Sequence, residues 1–405
     1  MRLSDAHNLP AWRRPPALLM LMAIAMPIAF ATWSALLNNF PVEVAAFDGA
    51  DIGWLHTVRE IPGFLAVGVI AIIVFVREQT LALVSLAILG LATALTAQFP
   101  SLTGLLTITL LSSIGFHYYE TVNQSLQLQW LPKADAPRML GTLLAIGSGA
   151  TFLAYGALVL TWRTFDLSYD LVYWIAGGTT LALALAALLV FPHFESPHPQ
   201  TKRMVLRRRY WLYYLLQFMS GARRQIFVVF AAFMMVERYG LDVHQITALF
   251  MGTLAINMAT ANLVGRAVGR FGERTALLIE YAGLTTIFLL YAGLYVFDWG
   301  VLAAGALYVA NHIFFSLALA IKTYFQKVAD PADIAPTAAV AFTINHIAAV
   351  FLPAALGYLW LTSPVSVYLL AAAMAAGSLA LSTLVPRHPV PGQETTLSAR
   401  LAAAE

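Results

Sequence analysis

Runs of roughly 20 apolar residues, each long enough to cross a bilayer as a helix, recur along this chain between short polar stretches. Twelve can be counted, at 17–38, 53–76, 79–98, 102–131, 138–162, 170–191, 210–236, 245–268, 275–297, 299–325, 335–361 and 365–385. This pattern limits the fold more than any other feature. A chain in hydrocarbon must satisfy its backbone hydrogen bonds internally, and a helix does so within one segment. The runs lack the short alternation that barrel strands require. The first run follows Arg13 and Arg14 and contains Ala29-Phe30-Ala31, which mimics a signal cleavage site. It is too long for a signal peptide and is expected to remain as a helix.

Composition agrees. Of 405 residues, 60% are hydrophobic and only 11% charged, with a mean hydropathy of +0.76. A soluble enzyme of this size cannot be coated by so few charges. A net charge of +3 with no basic patch argues against nucleic-acid binding. The chain has no cysteine, which excludes disulfides, thiolate metal sites and cysteine nucleophiles. No phosphate-binding Gly-Lys-Ser/Thr loop, Gly-x-Ser-x-Gly or His-Glu-x-x-His run occurs, so neither an ATPase nor a hydrolase is expected, and no cofactor.

Lysine and arginine placement sets the orientation. Arg2, Arg13, Arg14, Arg77, Lys133, Arg138, Lys202, Arg203, Arg207, Arg208, Arg209, Arg266, Arg270, Arg274, Lys327, Arg387 and Arg400 fall in one set of connections. The other set holds Arg163 and Arg238 beside Glu43, Asp48, Asp51, Asp166, Asp170, Asp242 and Asp298. The positive-inside rule then puts both termini in the cytoplasm, with a plasma (bacterial inner) membrane as the expected location. The proline-rich stretch 192–209 reads as a basic cytoplasmic linker between six-helix bundles at 1–191 and 210–386, with a tail at 387–405.

An internal repeat supports the division. Arg13-Arg14 aligns with Arg208-Arg209, Glu78 with Glu273, His117 with His312 and Tyr173 with Tyr368, all at an offset of 195. Six helices per half give both halves the same orientation, and transporters built this way rock the halves about a substrate site. Twelve helices in six-plus-six form, with a central linker, resemble the major facilitator superfamily. The stretch Gly265-Arg266-Ala267-Val268-Gly269-Arg270-Phe271-Gly272-Glu273-Arg274 is similar to that family's loop signature, Gly-x-x-x-Asp-Arg-x-Gly-Arg-Arg. Gly269 replaces the usual acidic residue and Glu273 a basic one, while the first-half copy is reduced to Phe75-Val76-Arg77-Glu78. The resemblance implies an all-helical secondary transporter, a monomer, whose loop residues Gly265, Arg266, Gly269, Arg270 and Gly272 take part in gating. It also implies that the first, fourth, seventh and tenth helices line the solute path.

Charged groups at bilayer depth cost roughly 2.5–3.5 kcal/mol each, so they line cavities or pair. Five stand out: Arg59, Glu60, Glu120, Arg223 and Arg224, summing to +1 (three positive, two negative). Arg223 and Arg224 are mid-way along the seventh run and point about 100° apart, so one can bind an anion while the other pairs with an acidic residue. Structural pairing of both, with Glu60 and Glu120, is the plainer alternative. In the fourth run His117, Glu120, Gln124 and Gln127 share one helical face, with Asn123 beside it. Glu120 with His117 suits proton exchange; interhelical hydrogen bonding is its plainer alternative. His56, Arg59 and Glu60 precede Pro62-Gly63 and read either as an outer gate or as a self-neutralising pair. Asn311, His312 and Asn345 add neutral donors and acceptors.

The expected function is therefore proton-coupled transport of a small anionic or zwitterionic solute through a lipid bilayer. Arg223 or Arg224 would hold the negative group, with Asn123, Gln124, Asn311, His312 and Asn345 completing the solute site. A second reading is transport of a divalent metal or its chelate by His117, His312 and Glu120. A non-transporting receptor or scaffold is the third.

Overall fold

The computed structural model describes residues 3–73, 75–131, 136–195, 206–330 and 333–398. Most of the expected linker (196–205) and the end of the expected tail (399–405) lie outside the described residues, as do Arg2, Lys133, Lys202 and Arg203. Helices follow one another along the chain: α1 (Pro15–Leu36), α2 (Gly49–Phe64), α3 (Glu78–Leu95), α4 (Leu102–Trp130), α5 (Ala136–Thr161) and α6 (Tyr169–Val190). They continue with α7 (Arg208–Glu237), α8 (Val243–Phe271), α9 (Glu273–Val296), α10 (Val301–Val328), α11 (Ile334–Thr362) and α12 (Pro364–Ser382). Each falls on one of the twelve expected runs.

Among the described residues, nine helices are long and apolar enough to cross a membrane, or ten if the bent α8 is one span. The two that fall short do so for local reasons. After Pro62-Gly63, α2 gives way to a 3-10 turn at Leu65–Gly68 before a last turn at Val69–Ile72. α4 is a regular helix of 29 residues whose polar face lowers its hydropathy. The chain is an integral multi-pass membrane protein.

Helix starts follow capping chemistry. Pro15 and Pro16 open α1, where their missing N–H groups cost nothing. Ser101, Ser168 and Ser363 cap α4, α6 and α12, each hydroxyl accepting a backbone N–H from the first turn. Asp242 and Gln245 cap α8 reciprocally at 3.1 Å each way. Burial pushes the Asp242 carboxyl up, but the Gln245 N–H and the Arg163 and His244 side chains outweigh it, and the net shift is downward.

The chain divides into two compact units, Met1–Phe47 with Val58–Thr201 and Leu241–Met251, and Asp48–Thr57 with Lys202–Gly240 and Gly252–Glu405. In the first, α3 packs on α4 and α6, and α1 packs on α5 and α6. In the second, α9 packs on α10 and α12, and α7 packs on α11 and α12. The pairing pattern is the same, as the sequence repeat requires. Small residues bring the helices together. A Cβ added at Gly177 of α6 would stand 2.2 Å from the Ala94 nitrogen and 2.4 Å from the Gly90 carbonyl of α3. One at Gly115 of α4 would stand 2.7 Å from the Ser85 carbonyl.

Within the second unit, the first turns of α2 lie against α11 at Pro353. Gly53 leaves room for the Pro353 carbonyl, 2.3 Å from where its Cβ would be. Thr57 Oγ1 donates to the Val350 carbonyl at 2.8 Å and accepts from the Ala354 N–H at 3.1 Å. It thereby re-satisfies backbone groups beside the proline, which itself has no N–H to donate.

Candidate functional site

The polar residues singled out in the sequence fall into a group in each unit. In the first, α4 is amphipathic. Tyr119, Val122, Leu126 and Trp130 are buried in the apolar core against α1 and α3. On its other side His117 is buried, Asn123, Glu120 and Gln127 are half-buried and Gln124 is exposed. The three- and four-residue spacing places the core residues and the polar stripe on different faces, as read from the sequence. Arg59 and Glu60 pair with each other, Nη2 to Oε1 at 2.6 Å and Nε to Oε1 at 3.0 Å. Ser113 of α4 donates to the Arg59 carbonyl. His56, one turn earlier on α2, is buried and belongs to the second unit.

The second group centres on α7, the most enclosed of the candidate spans. Arg223 and Arg224 part as helical geometry demands. Arg223 is buried with 1% exposure and faces Glu280 of α9, itself fully buried, at 3.6 Å between Nη2 and Oε1. Its guanidinium also lies 4.4 Å from the centre of the Tyr281 ring. Arg224, half-buried, donates to Asn345 Oδ1 of α11 at 3.0 Å, and Asn345 Nδ2 donates to the Gln217 carbonyl at 3.2 Å. Gly221 makes this approach possible, since a Cβ there would come 2.6 Å from the Asn345 carbonyl.

One turn further on, α7 relaxes into a π-helical turn at Phe227–Ala231, a wide form frequent at functional sites. Phe227 sits against His312 and Tyr308 of α10, ring centres 5.1 and 4.9 Å away. His312 Nδ1 is 3.0 Å from the Tyr308 carbonyl, and Asn311 is buried beside it with no hydrogen-bond partner for its Oδ1 among the described residues. α10 tightens to a 3-10 turn at Ser316–Ala318 just beyond.

Glu280 was missed by the sequence reading, and it changes the charge count. Added to the five charges singled out from the sequence, it makes Arg59, Arg223 and Arg224 against Glu60, Glu120 and Glu280, and the excess of +1 among them becomes zero. The expected pairing of an intramembrane arginine with an acidic residue is present, but Arg223 has Glu280 as a partner and Glu60 has Arg59. Glu280 was legible as the lone charge in the run 275–297. Also missed was Glu78 at the start of α3, which accepts from Gln129 of α4 at 2.6 Å and from Ser125 at 3.2 Å.

The loop signature lies where α8 meets α9. Gly272 alone separates the helices, with φ +81° and ψ 159°, a conformation confined in practice to glycine. Glu273, at the position of a usual basic residue, is buried and pairs with Lys327 of α10 at 2.7 Å. Gly265 and Gly269 have open space around them, and Arg266 and Arg270 are exposed.

No curated protein sequence matches the chain. Several solved structures share its fold. They include a mutant of the nucleoside transporter NupG (15% identity, 91% of this chain and 99% of that one, TM-score 0.75). A D-xylose–proton symporter covers 92% of this chain and 98% of its own, at 12% identity and TM-score 0.71. A bacterial homologue of the human lysosomal transporter Spinster, inward-facing and occupied, covers 91% and 95% at 14% identity and TM-score 0.67. The sequence itself matches the Major Facilitator Superfamily over residues 17–353. This chain therefore belongs to the Major Facilitator Superfamily and is a membrane transporter rather than an enzyme.

Proposed function

We propose that the protein is a proton-driven secondary transporter, working by alternating access, for a small polar organic solute that is zwitterionic or neutral rather than strongly anionic. The observation that carries this is the buried Arg223–Glu280 pair. It neutralises Arg223 within the bundle, so the surplus of positive charge among the residues singled out from the sequence no longer favours a multiply charged anion. Arg224, hydrogen-bonded to the neutral amide of Asn345, is the arginine we assign to a single negative group of the solute. Asn311 and His312 with the Phe227 and Tyr308 rings would take its polar and flat parts. Glu120, with His117, is the proton-exchanging group on the polar face of α4.

The neighbours are consistent with such solutes, one being a nucleoside transporter and another a sugar–proton symporter. None of the three named above is described as a metal carrier, and the metal reading is not carried forward. The arginine and lysine asymmetry supports both ends in the cytoplasm of a plasma (bacterial inner) membrane, and the family default supports a monomer.

The test is uptake of radiolabelled amino acids, nucleosides, sugars and dicarboxylates into proteoliposomes under an imposed pH gradient. We expect accumulation of a neutral or zwitterionic compound, lost in Glu120→Gln while solute exchange at equal pH persists. Accumulation of a dicarboxylate alone, or accumulation indifferent to the gradient, would overturn the proposal.

A further inference from the structure

We propose that Glu280 is a second proton-binding site, belonging to α7 and α9 and switched against Arg223. The inference rests on the proton-driven reading but places a proton where that reading does not. Both side chains are fully enclosed, yet their closest atoms stand 3.6 Å apart, just beyond hydrogen-bond distance. Among the described residues, neither Glu280 oxygen and none of the three Arg223 nitrogens has a hydrogen-bond partner. Buried ion pairs that serve only to hold helices together are normally bidentate and have their remaining lone pairs satisfied. This one is loose, so a proton can bind a carboxylate oxygen of Glu280 without displacing any donor.

Arg223 also has somewhere else to go. Its guanidinium lies over the Tyr281 ring at 4.4 Å, a contact between a cation and a π face that survives neutralisation of the acid. The balance is simple: one proton arrives from water, the acid becomes neutral, no covalent bond breaks, and Arg223 keeps its charge on the Tyr281 face. Because Arg224 follows directly and is bonded to Asn345 on α11, a shift of Arg223 is felt at the arginine assigned to the solute.

From α7, Arg223 faces Glu280, and on α9 itself Tyr281 lies against the Arg223 guanidinium. α10 and α12 also pack on α9, where Lys327 meets Glu273 and Tyr368 meets Tyr291. Nearer Glu280, α10 offers the Phe314 ring beside Gly283.

The experiment is pH-difference infrared spectroscopy of the ligand-free protein in lipid vesicles, titrated with protons alone over about pH 4 to 10. We expect a carboxylic-acid C=O band from a buried group that disappears in Glu280→Gln. The double variant Arg223→Gln with Glu280→Gln guards against misfolding, since it removes both charges together, and should also lack the band. Persistence of the full band in either variant overturns the inference. A band lost in Glu120→Gln but intact in Glu280→Gln overturns it while leaving the proposed function standing.

Discussion

The Asp333 carboxylate accepts from the Arg207 guanidinium at 2.6 and 3.0 Å, and from the Tyr210 hydroxyl at 3.0 Å. One acid before α11 thus holds the entry to α7. The Arg207 hydrogen bonds, with Tyr210 and Arg209 adding to them, pull its pKa down to about 2. A carboxyl lowered on folding contributes stability above its unfolded pKa of about 3.9, and that contribution fades as pH falls towards the folded value. Asp333→Asn should therefore lower the unfolding temperature at pH 7, with the gap to wild type closing between about pH 4 and pH 2. A gap that stays constant over that window, in a detergent thermal-shift series, would refute the assignment.

Breaking the Arg223–Glu280 pair from one side should cost more than removing it. Arg223→Gln alone leaves Glu280 buried without its counter-ion, a loss of about 3–5 kcal/mol, whereas Glu280→Gln leaves Arg223 the Tyr281 face and should cost less. The double variant should recover most of it. Unfolding free energies from a double-mutant cycle decide the matter, and simple additivity would show that the pair is not coupled.

Adjacent glycines in α6 should respond oppositely to the same change. Gly177→Ala forces a methyl group to within 2.2 Å of α3 backbone and should cost about 1–3 kcal/mol or more. Gly178 has nothing within 4 Å, and alanine there should be neutral or stabilising by up to about 1 kcal/mol. Equal unfolding temperatures for the two variants would contradict the packing.

The loop signature yields a similar contrast. Gly272→Ala meets strain from the backbone conformation, worth about 1–3 kcal/mol. Gly269→Ala, on an open helical surface, should leave stability intact. If it nevertheless slows transport in proteoliposomes, Gly269 matters to gating rather than to folding. If transport is unchanged, the gating role is lost.

How far the sequence could be read depended on whether the signal was local. Helix positions were legible because an apolar run of about 20 residues has one stable form in hydrocarbon. The polar face of α4 followed from spacing, and the Arg59–Glu60 pair from adjacency. Glu280 escaped because it stood alone in an apolar run and its partner is 57 residues away on another helix; periodicity relates residues along a helix, not across a bundle. The same holds for Glu78 and Gln129, 51 residues apart. α2 was expected to continue to 76, but Pro62-Gly63 and the 3-10 turn that follows end its regular helix at Phe64. The π-helical turn of α7 has no counterpart in hydropathy, since Phe227–Ala231 is as apolar as any other turn.

The Thr57 hydroxyl, wedged beside Pro353, acts on motion as well as on folding. A helix that bends at a proline inside hydrocarbon must keep its loosened backbone groups satisfied throughout the swing. For α11 those groups are satisfied by a side chain of α2, so α11 cannot flex there and leave α2 behind. The start of α2 and the proline turn of α11 are thus tied together, and bending α11 there would break both hydrogen bonds.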